Sequence, residues 1–291
     1  MAQQRYFCSV KSRANGEAIY GTVARIRSWL LLEYSHPWHR NAVEDSGRIS
    51  PEVKEHIRRL PVDRTLLIRQ EYHRLGPWQC ILVRSCDNPP SASRHIVTDY
   101  DQLRGLHSLG EPLNQLIFAV CTHGQHDKCC AKFGLPVWSA FRKFSGQRAW
   151  QCSHVGGDRF AANVVVFPYG IYYGRVLPED VPEILHRSDA GEIWLAGYRG
   201  RSCFPRSVQI AEYFLRRETR RLPINEFQAV DSLRITPEHT RVRFRAQSDG
   251  SVHIVEFVTQ ADALGQRLTC EATQVSGIAQ HKLQSYTVGY D

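Results

Sequence analysis

The chain has 291 residues, of which 42% are hydrophobic and 23% charged, a balance that belongs to a folded globular protein and excludes intrinsic disorder. Its length suits two compact units better than one, and a core of that size folds without disulfide staples. The formal charge of +8 admits an acidic partner, but the arginine-rich runs at 216–222 and 241–245 come with no RRM, KH or C2H2 pattern, so they read as solvated faces and nucleic acid is not expected.

The first segment, 1–108, reads as mixed α/β. It carries an apolar run at 29–32, a helix start at Ser50 and Pro51, and two buried strands in "RTLLIRQEY" and "QCILVRSC". Asn88, Pro89 and Pro90 followed by "SAS" predict a loop. A second α/β unit, 109–225, opens with the strand "QLIFAVCTH". A helix follows in "GLPVWSAFRKF", where Val137, Phe141 and Phe144 recur at helical spacing, then a strand around "RAWQCSH". "ANVVVFPYGIYYGRV" gives two strands about a turn at Pro168, Tyr169 and Gly170, and "PEDVPEILH" and "PRSVQIAEYFLRRE" give two further helices. Strand, helix, strand, strand pair and helix fit a thioredoxin-like layer. The glycine-rich "GYRGRS" at 197–202 lacks both the P-loop and the dinucleotide fingerprint. Residues 226–291 form a small β extension, with a hairpin around Asp249 and Gly250 whose Val242, Phe244, Val252 and Ile254 alternate.

No apolar run is long enough to cross a bilayer, and "MAQQRYFCSVKSRANGE" has no signal-peptide core. A cytoplasmic protein is expected. Nine cysteines are many for a reducing compartment and their number is odd, which points away from a disulfide framework and toward metal or redox chemistry.

The stretch "CTHGQHDKCCAKFG" concentrates that chemistry, with three cysteines and two histidines between positions 121 and 130. Eight residues lie between Cys121 and Cys130, and in "CSHVGGDRFAAN" three lie between His154 and Asp158. One helix and one strand separate the pairs, so both loops can reach the same edge of a sheet, where α/β proteins hold ligands. Zinc accepts all these residue types, but structural zinc sites favour shorter cysteine knuckles. Two ligand pairs suit two bridged irons, with thiolates on one and imidazole on the other. Gly156 and Gly157 permit the tight turn that would bring residues 154 and 158 together. Asp158 reads equally as a ligand or as a helix N-cap, in which case Cys152, His123 or His126 supplies the fourth donor. Vicinal Cys129 and Cys130 leave open a thiol-disulfide oxidoreductase, although no Cys-x-x-Cys is present. Cys8, Cys80, Cys86, Cys203 and Cys270 have no interpretable spacing. No carboxylate pair argues for glycosidase chemistry.

These two motifs, together with "LLLEYSHPW" at 30–38, resemble the sucrase/ferredoxin-like family, densely over 117–176 and loosely elsewhere. The resemblance implies two thioredoxin-like lobes, a 2Fe-2S cluster in the second, electron transfer, and a redox partner protein. It also implies a ligand set. Cys121 and Cys130 match the family's two cysteines, His154 matches the first histidine of a His-x3-His motif, and Asp158 stands where the second would be. Lys128, Lys132 and Arg159 flank the motifs and could neutralise a reduced cluster or dock an acidic partner.

Overall fold

The computed structural model describes residues 6–105 and 110–290, so the boundary expected at 108/109 lies outside the described residues. A short helix α1 (Cys8–Ala14) precedes the first half, which contains β1 (Ser28–Glu33), α2 (Pro51–Arg59), β2 (Arg64–Arg69), β3 (Trp78–Arg84) and β4 (Ser91–Val97). These strands stand side by side as β2-β1-β3-β4, with β1 parallel to β2 and antiparallel to β3. After the two-residue β5 (Glu111–Pro112), the pattern recurs in β6 (Ile117–Cys121), α3 (Lys128–Ser145), β7 (Ala149–Cys152), β8 (Val164–Phe167) and β9 (Ile171–Tyr173). Their order is β7-β6-β8-β9, with the same senses of pairing. The halves meet where β2 and β7 pair antiparallel, Ile68 opposite Cys152 and Arg69 opposite Gln151, making one ten-stranded sheet.

Local chemistry accounts for these elements. Inside the sheet, β1 and β6 are covered on both faces and read as near-continuous apolar runs, Trp29 to Leu32 and Ile117 to Cys121. Ser50 caps α2 by accepting the Val53 N–H, and Pro51 occupies the first turn, where its missing donor costs nothing. Asp127 caps α3 in the same way, its Oδ1 2.8 Å from the Cys129 nitrogen. The helix therefore starts six residues before the predicted stretch and carries both vicinal cysteines in its first turn. Its buried stripe is Cys130, Gly134, Val137 and Phe141, while Phe144 faces solvent.

Beyond β9 come α4 (Val181–Asp189), the edge strand β10 (Tyr198–Arg201) and α5 (Arg206–Thr219). Four antiparallel strands complete the chain in sequence order: β11 (Phe227–Arg234), β12 (His239–Ala246), β13 (Val252–Gln266) and β14 (Ser276–Gly289). They lean on α5 through Val242, Phe244, Val255 and Phe257 against Ala211, Phe214 and Leu215.

Several expectations change on contact with the fold. The "SAS" segment is strand, not loop, because small side chains let β4 pair with β3 from Ser91 onward. "GYRGRS" supplies β10, recruited by pairing with β9 rather than by its own composition. In the hairpin, Val242 lies opposite Val255 and Phe244 opposite His253, so Val255 and Phe257 face the core and Ile254 does not. Arg216, expected on a solvated face, is fully buried against Glu212. Among the described residues no helix is long and apolar enough to cross a membrane.

The N-terminal segment packs on the second half. Glu17 pairs with Arg159 at 2.7 Å, Arg175 donates to Ser12, and the Gly21 and Ile26 N–H groups bond the carbonyls of Arg199 and Ser202.

Candidate metal centre

Two strand ends and one helix start build the site. Cys121 ends β6, and its N–H donates to the Asn163 carbonyl at 2.9 Å. Cys130 sits in the first turn of α3, which presses so closely on that strand end that a Cβ on Gly134 would lie 2.1 Å from the Cys121 carbonyl oxygen. His154 and Asp158 belong to the loop after β7. Gly157, at φ +79°, turns that loop over Arg199, whose Nη2 would be 2.4 Å from an added Cβ. Asn163 and Arg199 hold the turn by donating to the Gly157 and Gly156 carbonyls. Across the seam, Arg64 of β2 donates to the His154 carbonyl at 2.6 Å.

The structure brings all four expected residues together. One donor atom each from Cys121, Cys130 and His154 lies within 4.8 Å of the others, and the same holds for His126, His154 and Asp158. The Cys130 thiol donates to Asp158 Oδ1 at 3.2 Å. His154 Nδ1 is buried and lies 2.9 Å from that oxygen, within ion-pair distance. Asp158 makes no capping bond to a backbone N–H. Its carboxylate turns to the thiol and the imidazole, so the helix-cap reading does not describe it.

Charge is distributed unevenly. The neighbouring Cys130 thiol, aided by His154, holds the buried Cys121 thiol well below its usual range, and the same closeness of Cys121, with burial, pushes Cys130 up. Burial pushes the His154 imidazole down, but hydrogen bonds to Asp158 and Cys121 outweigh it and raise the group to about 9. Burial also works against ionisation of Asp158, and His154 more than compensates, leaving the carboxyl below its usual value. The Arg199 guanidinium, fully enclosed and lowered to about 10 by burial, lies under the loop with Thr22, Gly156 and Asn163 as its partners.

The alternative donors separate clearly. His126 stacks on His154 with ring centroids 3.6 Å apart, and its Nε2 is 3.9 Å from Asp158, so it belongs to the cluster. His123 accepts the His154 N–H on Nδ1 and contacts the His39 carbonyl through Nε2, which occupies both ring nitrogens. Cys152 lies opposite Cys121 in the sheet, its thiol raised by burial, and stays outside the converging donors. The Cys129 thiol turns away from this centre toward Cys8 and Cys270. Lys128 and Lys132 lie over the Phe7 ring. No local spacing signals the link to Cys8 and Cys270, because those residues lie at opposite ends of the chain.

A mixed α/β fold and a buried cluster of thiols, imidazoles and a carboxylate define a protein equipped to bind metal. The model of the sucrase/ferredoxin-like family matches residues 19–200, and the chain belongs to that family. The altered inheritance of mitochondria protein 32 of Meyerozyma guilliermondii is 36% identical over 92 residues, 28% of this chain and 33% of that protein. The protein of the same name from Debaryomyces hansenii is 35% identical over 95 residues, 29% of this chain and 35% of that protein. The matched region thus spans about a third of each curated relative. Among solved structures, a thioredoxin-like [2Fe-2S] ferredoxin from Aquifex aeolicus aligns with 97% of its own length and 32% of this chain, at 24% identity and a TM-score of 0.27.

Proposed function

We propose that this protein carries a 2Fe-2S cluster held by Cys121, Cys130, His154 and Asp158 and passes single electrons to or from a partner protein. The observation that carries this reading is the convergence of two buried thiols with an imidazole and a carboxylate from a separate loop. The residues fit the group. The donor set offers two thiolates and two nitrogen or oxygen donors, with His154 Nδ1 and Asp158 Oδ1 2.9 Å apart on the same loop, where one metal could replace the contact between them. When bound, the cluster supplies reversible one-electron chemistry.

The chain's own residues set the conditions for that chemistry. Cys121 and Cys130 are each 1% exposed, whereas the side chains of His154 and His126 are 21% and 31% exposed, so electrons would enter and leave on the histidine side. The enclosed Arg199 offsets negative charge beneath the loop. Asp158 adds a negative charge that a histidine would not, which favours a lower reduction potential than a bis-histidine site has. Nine cysteines with none paired suit a reducing, cytoplasmic setting.

Thiol-disulfide exchange is disfavoured. Cys129 and Cys130 are buried at 0% and 1% exposure, so neither can meet a protein disulfide. Replacing Cys121 or Cys130 by Ala should abolish the visible chromophore of anaerobically purified protein. A brown, iron-loaded protein from either variant would overturn the ligand set.

A further inference from the structure

Behind the first centre, on the other side of the α3 start, lies a second cluster that the electron-transfer reading does not use. Cys8 of α1, Cys129 of α3, Cys270 from the connection between β13 and β14, and the cap residue Asp127 are all buried, with one donor atom each within 4.8 Å of the others. We propose that these four residues bind a single zinc ion, which ties the two ends of the chain to α3.

The distances support one ion. The sulfur separations are 3.6 Å for Cys8 and Cys129, 3.2 Å for Cys129 and Cys270, and 3.6 Å for Cys270 and Cys8. Zinc–sulfur bonds of about 2.3 Å in a tetrahedron place sulfurs roughly 3.8 Å apart, so only small shifts are needed to admit the ion. A disulfide needs about 2.05 Å between sulfurs and would leave one of three thiols over. Asp127 Oδ2 lies 4.0 Å from the Cys8 sulfur, on the cluster side of the cap.

The carboxylate is the second reason. Asp127 is 2% exposed, and among the described residues no cation pairs with it; its partners are the Cys129 and Cys270 N–H groups. A carboxyl group buried beside three thiols, with an oxygen edge toward the sulfurs, is a donor set that suits a divalent ion. Such an ion releases the three thiol protons as it binds. The surroundings match a thiolate site. Ser9 Oγ donates to the Cys129 sulfur at 3.2 Å and the Cys8 N–H to the Cys270 sulfur at 3.5 Å. Phe7, Phe133 and Ala161 pack around the group and exclude water. All four coordination positions come from protein, which marks a structural rather than a catalytic ion.

The test uses the full chain, purified anaerobically in reducing buffer, with zinc and iron measured on the same sample. The expected result is about one zinc per chain that survives Cys121→Ala and disappears in Cys8→Ser and Cys270→Ser, while those two variants keep the iron and visible spectrum of the wild type. Zinc retained in Cys8→Ser and Cys270→Ser, or lost only in Cys121→Ala, would overturn the assignment. Should either serine variant fail to fold, cobalt titration of the metal-free Cys121→Ala/Cys130→Ala protein, which has no thiol left in the first centre, decides. One equivalent with the d–d bands of a tetrahedral thiolate site supports the proposal, and their absence refutes it.

Discussion

Replacing Glu212 by Gln tests how β10, and with it Arg199, is fixed beneath the site loop. Glu212 is fully buried on α5, where Oε1 accepts from Arg201 Nη2 at 2.8 Å and from Arg216 Nη2 at 3.0 Å, and Oε2 accepts from the Tyr198 hydroxyl at 2.5 Å. Gln keeps the volume and removes the charge. Arg216 retains the carbonyls of Arg221, Pro223 and Ile224, but the two guanidiniums then share a buried space with no anion between them. Breaking one partner of a buried ion network costs about 3–5 kcal/mol. For a chain of this size that lowers Tm on the order of 10 °C. Although burial opposes ionisation, Arg201 and Arg216 hold the Glu212 carboxyl below its ordinary value. A depressed carboxyl contributes stability that is complete above the unfolded value near 4.5 and is lost as pH falls through the folded value. Urea unfolding at neutral pH should therefore separate wild type from Glu212→Gln by the full amount, and the gap should close as pH falls below about 4.5. A difference under about 1 kcal/mol at neutral pH, or a gap independent of pH, would refute the reasoning.

Other consequences follow from single positions. Gly157→Ala would place a Cβ against Arg199 at a φ of +79°, so it should lower the iron bound per chain and destabilise the fold by roughly 1–3 kcal/mol, measured by metal analysis and thermal unfolding. Asp158→His restores two histidines to the loop and should raise the reduction potential, read by redox titration followed in the visible spectrum; an unchanged potential would mean that Asp158 is not a ligand. Burial, helped by Arg206, pulls His281 down to about 4. The neutral ring therefore contributes stability that is complete above its unfolded value near 6.5 and is lost as pH falls toward 4, and His281→Gln should flatten the stability profile across that window.

How far the sequence could be read depended on whether the signal was local. The runs at Trp29–Leu32 and Ile117–Cys121 announce central strands because a strand covered on both faces needs nothing but apolar residues. Ser50 before Pro51 announces α2 for an equally local reason. β10 and the start of β4 were not legible, since "YRGR" and "SAS" become strands only through the partners that the fold supplies. The same division holds at the site. Cys121, Cys130, His154 and Asp158 stand in two short motifs, and the fold places them together. The role of Asp127 as a cap was hidden because the helical periodicity becomes clear only after Gly134, leaving the α3 start to be set by one side-chain bond. Cys8 and Cys270 could not be connected by any spacing rule, because only the packing of α1 and the β13–β14 connection against α3 brings them to Cys129.

The central claim is tested most directly by iron and sulfide analysis of the anaerobically purified full chain, with visible absorption and EPR before and after dithionite. The account predicts about two irons and two sulfides per chain and a reduced-state EPR signal with g values between those of all-cysteine and bis-histidine clusters. A colourless protein that takes up no iron on anaerobic reconstitution would contradict it.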